Sequence, residues 1–496
     1  MILIQVVLDK VFPKNVNFKK YSIILVALIV VGAFMSFYGV PKLVETIVKF
    51  MTILKPGRFI RKKHVNKLPF TYKLYLWNVT NPEQISKGIE KPKMQEIGPY
   101  VFTQFKQKRD TDDNVTDDTF SFDLWNIYNF DMQLSAPLTG DEVVTLVDAV
   151  LVAVIIKVQL ERPHVLDVVV EAMDIIFNKP SSIFVTMKAI DFINKGFEID
   201  CNHTAYAGQG IEFFFFDGKK LNTNLPTARY TVSRGVKNIH DIGRISTVND
   251  RTTMKVYKQD EQQKCNVING TDKLFFPPFQ KRSDVMWAYS HDACKSYPLR
   301  YAYMKTVRGA KTAWKNLDLK DEWLDHQCEC NKFFRCTPPG TMDMFPCLDI
   351  FVLGSLPHFY LADTSIHTTV DGMDPKEHLH KTGVYFDLLT GAPVASHERY
   401  QISWLVSPVP KYPIFSSIAG DVWIPLMWYD ESFSMETSDL ALIIFSRISK
   451  ILGIGTGCIL MIVGFLGLVA LVVRFHYHAA VIPQHQKFEF EENKLV

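Results

Sequence analysis

The chain has 496 residues, of which 47% are hydrophobic and 22% charged, with a net charge of +3. That apolar share is high for a soluble protein and low for a multispanning transporter, and a few membrane spans plus one large polar-surfaced domain would produce it. The near-neutral charge, with no basic stripe interleaved with aromatics, excludes a nucleic-acid partner.

From Tyr21 to Pro41 no charged side chain occurs, and at about 1.5 Å per residue the run covers the roughly 30 Å hydrocarbon core of a bilayer. It is too long for a cleaved signal and lacks a small-residue cleavage site after it, so it reads as an anchor. A second apolar run, Ile451 to Val473, is bracketed by Lys450 and Arg474 at headgroup depth. The expected organisation is a tail 1–20, a span 21–41, an extracellular domain 42–450, a span 451–473 and a tail 474–496. Gly453, Gly455 and Gly457 in the second span, and Gly32 and Ser36 in the first, are small residues that let helices approach closely, either span against span or chain against chain.

Lys and Arg lie on both sides of the first span, so orientation rests on other features. The N-x-S/T acceptors Asn78, Asn114, Asn202 and Asn269 all fall between the spans, where glycosylation requires the secretory lumen. Cys265, Cys294, Cys328, Cys330, Cys336 and Cys347 cluster in the same region, as three disulfides in an oxidising compartment would. Six cysteines allow fifteen pairings. Cys328 and Cys330 lack the paired C-x-x-C knuckles of a zinc site. Both termini are then expected in the cytosol.

The central region shows no repeat or linker and reads as one domain. Tyr72 to Trp77 is aromatic and apolar and stops at the turn signal Asn78-Val79-Thr80-Asn81-Pro82. Similar strands are predicted at Tyr100 to Phe105, Phe120 to Trp125, Val384 to Leu388 and Tyr400 to Val406. They imply a mostly antiparallel sheet or barrel. From Pro163 to Phe197 the pattern changes: Leu166, Val170, Met173 and Phe177, then Phe184, Met187 and Ile190, recur at helical spacing, predicting two short amphipathic helices.

Short motifs run almost from end to end: Trp77-Asn78-Val79-Thr80-Asn81, Glu96-Ile97-Gly98-Pro99-Tyr100, Arg234-Gly235-Val236-Lys237-Asn238, Phe276-Pro277-Pro278-Phe279, Pro338-Pro339-Gly340, Pro357-His358-Phe359 and Leu389-Thr390-Gly391. In this order, around the cysteine cluster, they resemble the class B scavenger receptor family, and within it the insect sensory neuron membrane proteins. The resemblance implies a mixed α+β fold: an antiparallel, barrel-like ectodomain with a helical apex, between two terminal transmembrane helices, with an apolar tunnel leading toward the membrane. It implies the pairings Cys265 with Cys328, Cys294 with Cys347, and Cys330 with Cys336. It also places ligand entry at the helical region, with Met173, Phe177 and Phe184 apolar and Lys179 and Lys188 attracting acidic headgroups. Cys201 has no evident partner by sequence.

No G-x-S-x-G elbow, H-E-x-x-H or P-loop occurs, so no enzyme activity and no cofactor are expected. His378 and His380 would share one face of an extended segment beside Glu377, yet two ligands do not complete a zinc site. Phe213 to Phe216 reads as a buried strand. The leading function is a cell-surface receptor or co-receptor that captures fatty-acid-derived ligands such as pheromones. It would pass them to the plasma membrane or to a neighbouring odorant receptor. The alternatives are a general scavenger receptor or lysosomal lipid transporter on the same fold, and a ligand-gated channel, which the apolar second span disfavours.

Overall fold

A computed structural model describes residues 17–199, 211–213, 226–257, 265–317 and 337–492. The chain forms two compact units, one holding residues through Phe50 together with those from Thr437 on, the other running from Met51 to Glu436.

In the first unit, Phe18–Thr52 and Thr437–His476 are helical and long and apolar enough to cross a membrane. A π-helical turn, Met35–Gly39, interrupts the N-terminal helix. The two helices pack on each other at small residues, as a side chain there would hold them apart. A Cβ on Gly32 would lie 2.4 Å from the carbonyl oxygen of Gly457, and Ser36 Oγ donates to the carbonyl of Ile454 at 3.0 Å. Ile23, Val30, Phe37, Ile459 and Phe465 point outward and are exposed, as a lipid-facing surface requires.

The second unit is built on strands. In chain order they are β1 Leu68–Val79, β2 Met94–Asn114, β3 Thr119–Phe130, β4 Val143–Val147, β5 Phe184–Lys188, β6 Phe197–Ile199, β7 Ile211–Phe213, β8 Ala228–Ser233 and β9 Ile245–Val248. They continue with β10 Met286–Ser290, β11 Lys295–Val307, β12 Ala310–Leu317, β13 Thr341–Asp343, β14 Val352–Ser355, β15 Gly383–Phe386, β16 Pro393–Val406 and β17 Val422–Ser434. Thirteen join one sheet in the order β10-β11-β12-β15-β16-β17-β1-β2-β3-β8-β9, with β13 and β14 branching from β16. All its strand pairings are antiparallel.

The strand path is open: β9 and β10 do not pair, and the barrel expected from the resemblance is not closed strand on strand. A short segment lies between those edges instead. Ile245 N–H donates to Gly270 O at 2.9 Å, Thr271 N–H to Trp287 O at 3.1 Å and Tyr289 N–H to Thr271 O at 2.9 Å. Gly270 permits this approach, with φ at +92° and a Cβ position 2.1 Å from Trp287 O.

Two large apolar clusters dominate the unit among the described residues, beside smaller ones around Phe276 and Phe359. The larger contains Tyr72, Leu74, Tyr100 and Phe102 of the sheet together with Val144, Leu151, Ile155, Leu166 and Phe192. The smaller contains Leu54, Phe70, Phe120, Phe122, Leu124 and Tyr230.

The Pro163 to Phe197 region corrects the two-helix expectation. Leu166–Ile176 is a helix, but Phe184–Lys188 is a strand paired with β4, and only Ala189–Lys195 after it is helical. Backbone hydrogen bonds to the edge of β4 outweigh the weak helical period of Phe184, Met187 and Ile190, and the β-branched Val185 and Thr186 favour that outcome. A helix the periodicity does not announce, Ala149–Glu161, precedes it. Its run is apolar on nearly all sides, which leaves no 3.6-residue signal to detect. Its N-cap, Asp148, accepts from Leu151 N–H at 3.1 Å and was the available clue.

Candidate functional site

The helical region supplies the residues expected at ligand entry, and they differ in setting. Met173, Phe177 and Phe184 are half-buried and pack against the larger apolar cluster. Val168 and Ile175, one helical face apart from them, are 69% and 57% exposed. Lys179 is exposed in the turn closing the Leu166–Ile176 helix, where Asn178 and Lys179 both adopt φ of 52°. Lys188 is exposed at the end of β5 and forms an ion pair with Asp141 at 2.9 Å, whose hydrogen bond and charge hold the lysine pKa above its usual value. The helices are tied down by polar contacts to one loop. Tyr412 Oη donates to Asp174 at 2.7 Å, Lys411 pairs with Asp167 at 2.8 Å and Gln159 Nε2 donates to Pro408 O at 3.0 Å. Burial pushes the Asp148 carboxyl up to about 6.

Deeper in the sheet lies a group of charged residues that sequence reading did not single out. Antiparallel partners point to the same face. Register pairs Tyr400 with Tyr429 and Glu398 with Glu431, Glu431 with Tyr72, and Tyr72 with Phe102. Lys106 and Lys108 follow Phe102 in phase along β2, so all these side chains share one face. On that face Lys106 meets Glu431 at 2.5 Å, each side chain 12% exposed. Lys108 meets Asp272 at 2.6 Å, both essentially inaccessible. Lys273 meets Glu398 at 2.5 Å and donates to Ser290 Oγ at 3.2 Å. Burial opposes the Lys273 charge, yet Glu398, Asp292 and Glu431 together hold its pKa above the usual value. Burial pushes the Tyr429 hydroxyl well up. The signal available in sequence was a charge in phase with aromatic core positions, as in Tyr429-x-Glu431-x-Phe433.

The opposite face of the same strands carries a second polar cluster. Glu96 Oε2 accepts from Trp428 Nε1 at 2.7 Å and lies 2.7 Å from His358 Nε2. His358 Nδ1 accepts from Asp374 N–H at 3.0 Å, which assigns the ring proton to Nε2. His358 stacks on His380 with centroids 4.2 Å apart and rings 9° from parallel. His378-Leu379-His380, in a stretch that reads as a polar loop by sequence, forms a helical turn, with His380 buried and its Nδ1 accepting from Lys376 N–H at 2.9 Å. Among the described residues no group of His, Cys, Asp and Glu has the spacing to hold a metal ion.

Cys294 and Cys347 are joined by a disulfide, and Cys265 is disulfide-bonded. Cys201, Cys328, Cys330, Cys336, Asn202 and Phe214 to Phe216 lie outside the described residues. Asn114 is exposed at the end of β2 and Asn269 is half-buried. Asn78 is also half-buried, and its side-chain Oδ1 accepts from Thr145 N–H at 2.8 Å.

These features define a protein with two helices long and apolar enough to cross a membrane and a large antiparallel sheet domain between them in the chain. The profile of the CD36 family matches residues 23–475, and the chain belongs to that family. It is similar to sensory neuron membrane protein 1 of Anopheles gambiae, at 34% identity over 85% of this chain and 81% of the relative. The protein of the same name from Aedes aegypti is 36% identical over 77% and 74%, and that from Bombyx mori 29% identical over 96% of each.

Proposed function

We propose that this protein is a cell-surface receptor or co-receptor that takes up hydrophobic, fatty-acid-derived ligands at its helical region. It then conducts them through the sheet domain to the membrane or to an odorant receptor beside it. Both termini lie in the cytosol, Asn114 and the other acceptor sites carry glycans, and Cys265–Cys328 and Cys330–Cys336 complete the disulfides. The observation that carries the reading is the character of the sheet's inner face. Lys273 and Glu398 keep 24% and 30% of their side-chain surface accessible, although burial is the first influence on Lys273. A filled core would leave no such surface, whereas a passage would. Half-buried Met173, Phe177 and Phe184 supply an apolar approach to it.

The mechanism is passive. Transfer of an alkyl chain out of water supplies about 0.8 kcal/mol per methylene, so a long chain is held without covalent chemistry. The names of the relatives favour a sensory setting over general scavenging. Native mass spectrometry of the purified, delipidated protein before and after exposure to long-chain acetates, aldehydes and fatty acids tests the reading. Stoichiometric uptake, lost when Met173→Trp narrows the approach, is expected. A folded protein that takes up none of these ligands would sink it.

A further inference from the structure

The segment between the two open edges of the sheet also reaches across it. Asp272 contacts Lys108 of β2 and Lys273 contacts Glu398 of β16, and both strands lie in the middle of the strand order. A segment that touches both edges and two central strands requires the sheet to wrap around it. The Lys108–Asp272 and Lys273–Glu398 pairs therefore cross the interior, and Lys106–Glu431 lies on the same face of the sheet.

Their level along the strands is defined by the apolar clusters. On β17, Tyr429 belongs with the larger cluster and Phe433 with the smaller, and Glu431 stands between them. On β1, Tyr72 and Phe70 are the corresponding boundary. On β3, Tyr128 and Leu124 flank Asn126, and on β2, Gln104 and Lys106 follow Phe102. A belt of polar side chains thus separates the two large apolar clusters. A long-chain molecule spanning both would bring its polar end or its chain against that belt.

The charge balance of the belt decides what it accepts. Lys106, Lys108 and Lys273 are each matched to one carboxylate, Glu431, Asp272 and Glu398. Asp292 adds further negative potential at Lys273 and Tyr429. An entering carboxylate must either displace a protein carboxylate from its lysine or remain uncompensated in a low-dielectric interior, and both are unfavourable. An uncharged carbonyl or hydroxyl needs only a hydrogen-bond partner. An ammonium has three N–H donors, and Lys273 uses two of them on Glu398 and Ser290 among the described residues.

We propose that this charge-matched belt makes the interior selective for long-chain ligands with an uncharged polar end, an ester, aldehyde or alcohol, over carboxylates of the same length. The inference rests on the reading that the interior holds such a ligand. Glu398 and Lys273 are its specificity-determining pair.

The test uses the full-length, delipidated protein in detergent, with hexadecyl acetate, hexadecanal and hexadecanoate as probes. The parent protein is expected to bind the acetate and the aldehyde about tenfold or more tightly than the carboxylate, a difference of about 1.4 kcal/mol. Glu398→Gln releases Lys273 from its counter-charge and is expected to shift the preference toward hexadecanoate by at least about tenfold. Glu398→Gln/Lys273→Met removes the unmatched cation and is expected to restore the parent preference. Glu431→Gln, which releases Lys106, repeats the test at a second pair should the first variant fail to fold. Equal binding of all three probes by the parent, or a preference unmoved in folded variants, would overturn the selectivity while leaving lipid capture intact. Binding of none of them by folded protein would remove the lipid reading and the belt's role with it.

Discussion

Replacing Asp272 by Asn keeps the shape of the side chain and removes the counter-charge of Lys108. The pair is 2.6 Å apart with side chains 1% and 2% exposed, so the ammonium it leaves behind has no access to water. Breaking a buried pair from one side costs about 3–5 kcal/mol. The Lys108 ammonium also sits 4.1 Å from the Phe122 ring centroid and 4.9 Å from that of Phe275. These contacts survive the substitution and each contributes roughly 1 kcal/mol, so the lower end, about 3 kcal/mol, is expected. The loss should depend on pH. Burial already holds the Lys108 pKa below its usual 10.5, and removing Asp272 lowers it further. Between the folded-state and unfolded-state values the unfolded chain binds more protons, so stability rises with pH, and the variant should recover part of its deficit as pH climbs toward 10. Lys108→Met/Asp272→Leu, with no buried charge, should be close to the parent or more stable. Urea denaturation of the detergent-solubilised protein, followed by tryptophan fluorescence, measures these differences. A single variant within about 1 kcal/mol of the parent, or a double variant as unstable as the single one, would refute the reasoning.

Three further outcomes follow from other parts of the molecule. Cys294 and Cys347 close a loop with a sequence separation of 53, and Cys294→Ser should destabilise the sheet domain by about 4 kcal/mol on loop-entropy grounds, measured by the same denaturation. His380 is held at a pKa of about 4, first by burial and then by the neighbouring His358, with Arg399 acting in the same sense and Glu96 and Asp374 opposing. A depressed folded-state value contributes stability above 6.5 that is lost as pH falls toward 4. The thermal midpoint should drop over that window, and His380→Phe should flatten the drop; an equally steep profile in the variant rejects the assignment. Ser36 Oγ lies 3.6 Å from Cys458 Sγ, so Ser36→Cys should form an oxidant-induced crosslink to Cys458 within one chain. Gly32→Leu, which the 2.4 Å approach to Gly457 O cannot accommodate, should abolish it. A crosslink found only between chains would contradict the packing of the two helices.

Helices and strands with one buried face advertise themselves locally, which makes much of the architecture legible in the sequence. The uncharged run from Tyr21 to Pro41 and the run from Ile451 to Val473 lie in the two long apolar helices. Tyr72 to Trp77, Tyr100 to Phe105, Phe120 to Trp125 and Tyr400 to Val406 lie within β1, β2, β3 and β16. The reading failed where the local signal was absent or ambiguous. The Ala149–Glu161 helix is buried on most sides and has no period to detect, and Phe184 to Lys188 took its conformation from a partner strand 41 residues away, as Thr145 against Thr186 illustrates.

The ordered motifs and the paired apolar runs therefore determined family and membrane placement, because both are properties of consecutive residues. Which charges meet was decided only by the tertiary structure. Lys108 and Asp272 are separated by 164 positions and Lys106 and Glu431 by 325, and no local pattern links them. A side chain's period says that it faces inward, while the partner that makes a buried charge tolerable is set by the curvature of the sheet and the segment that lies between its edges.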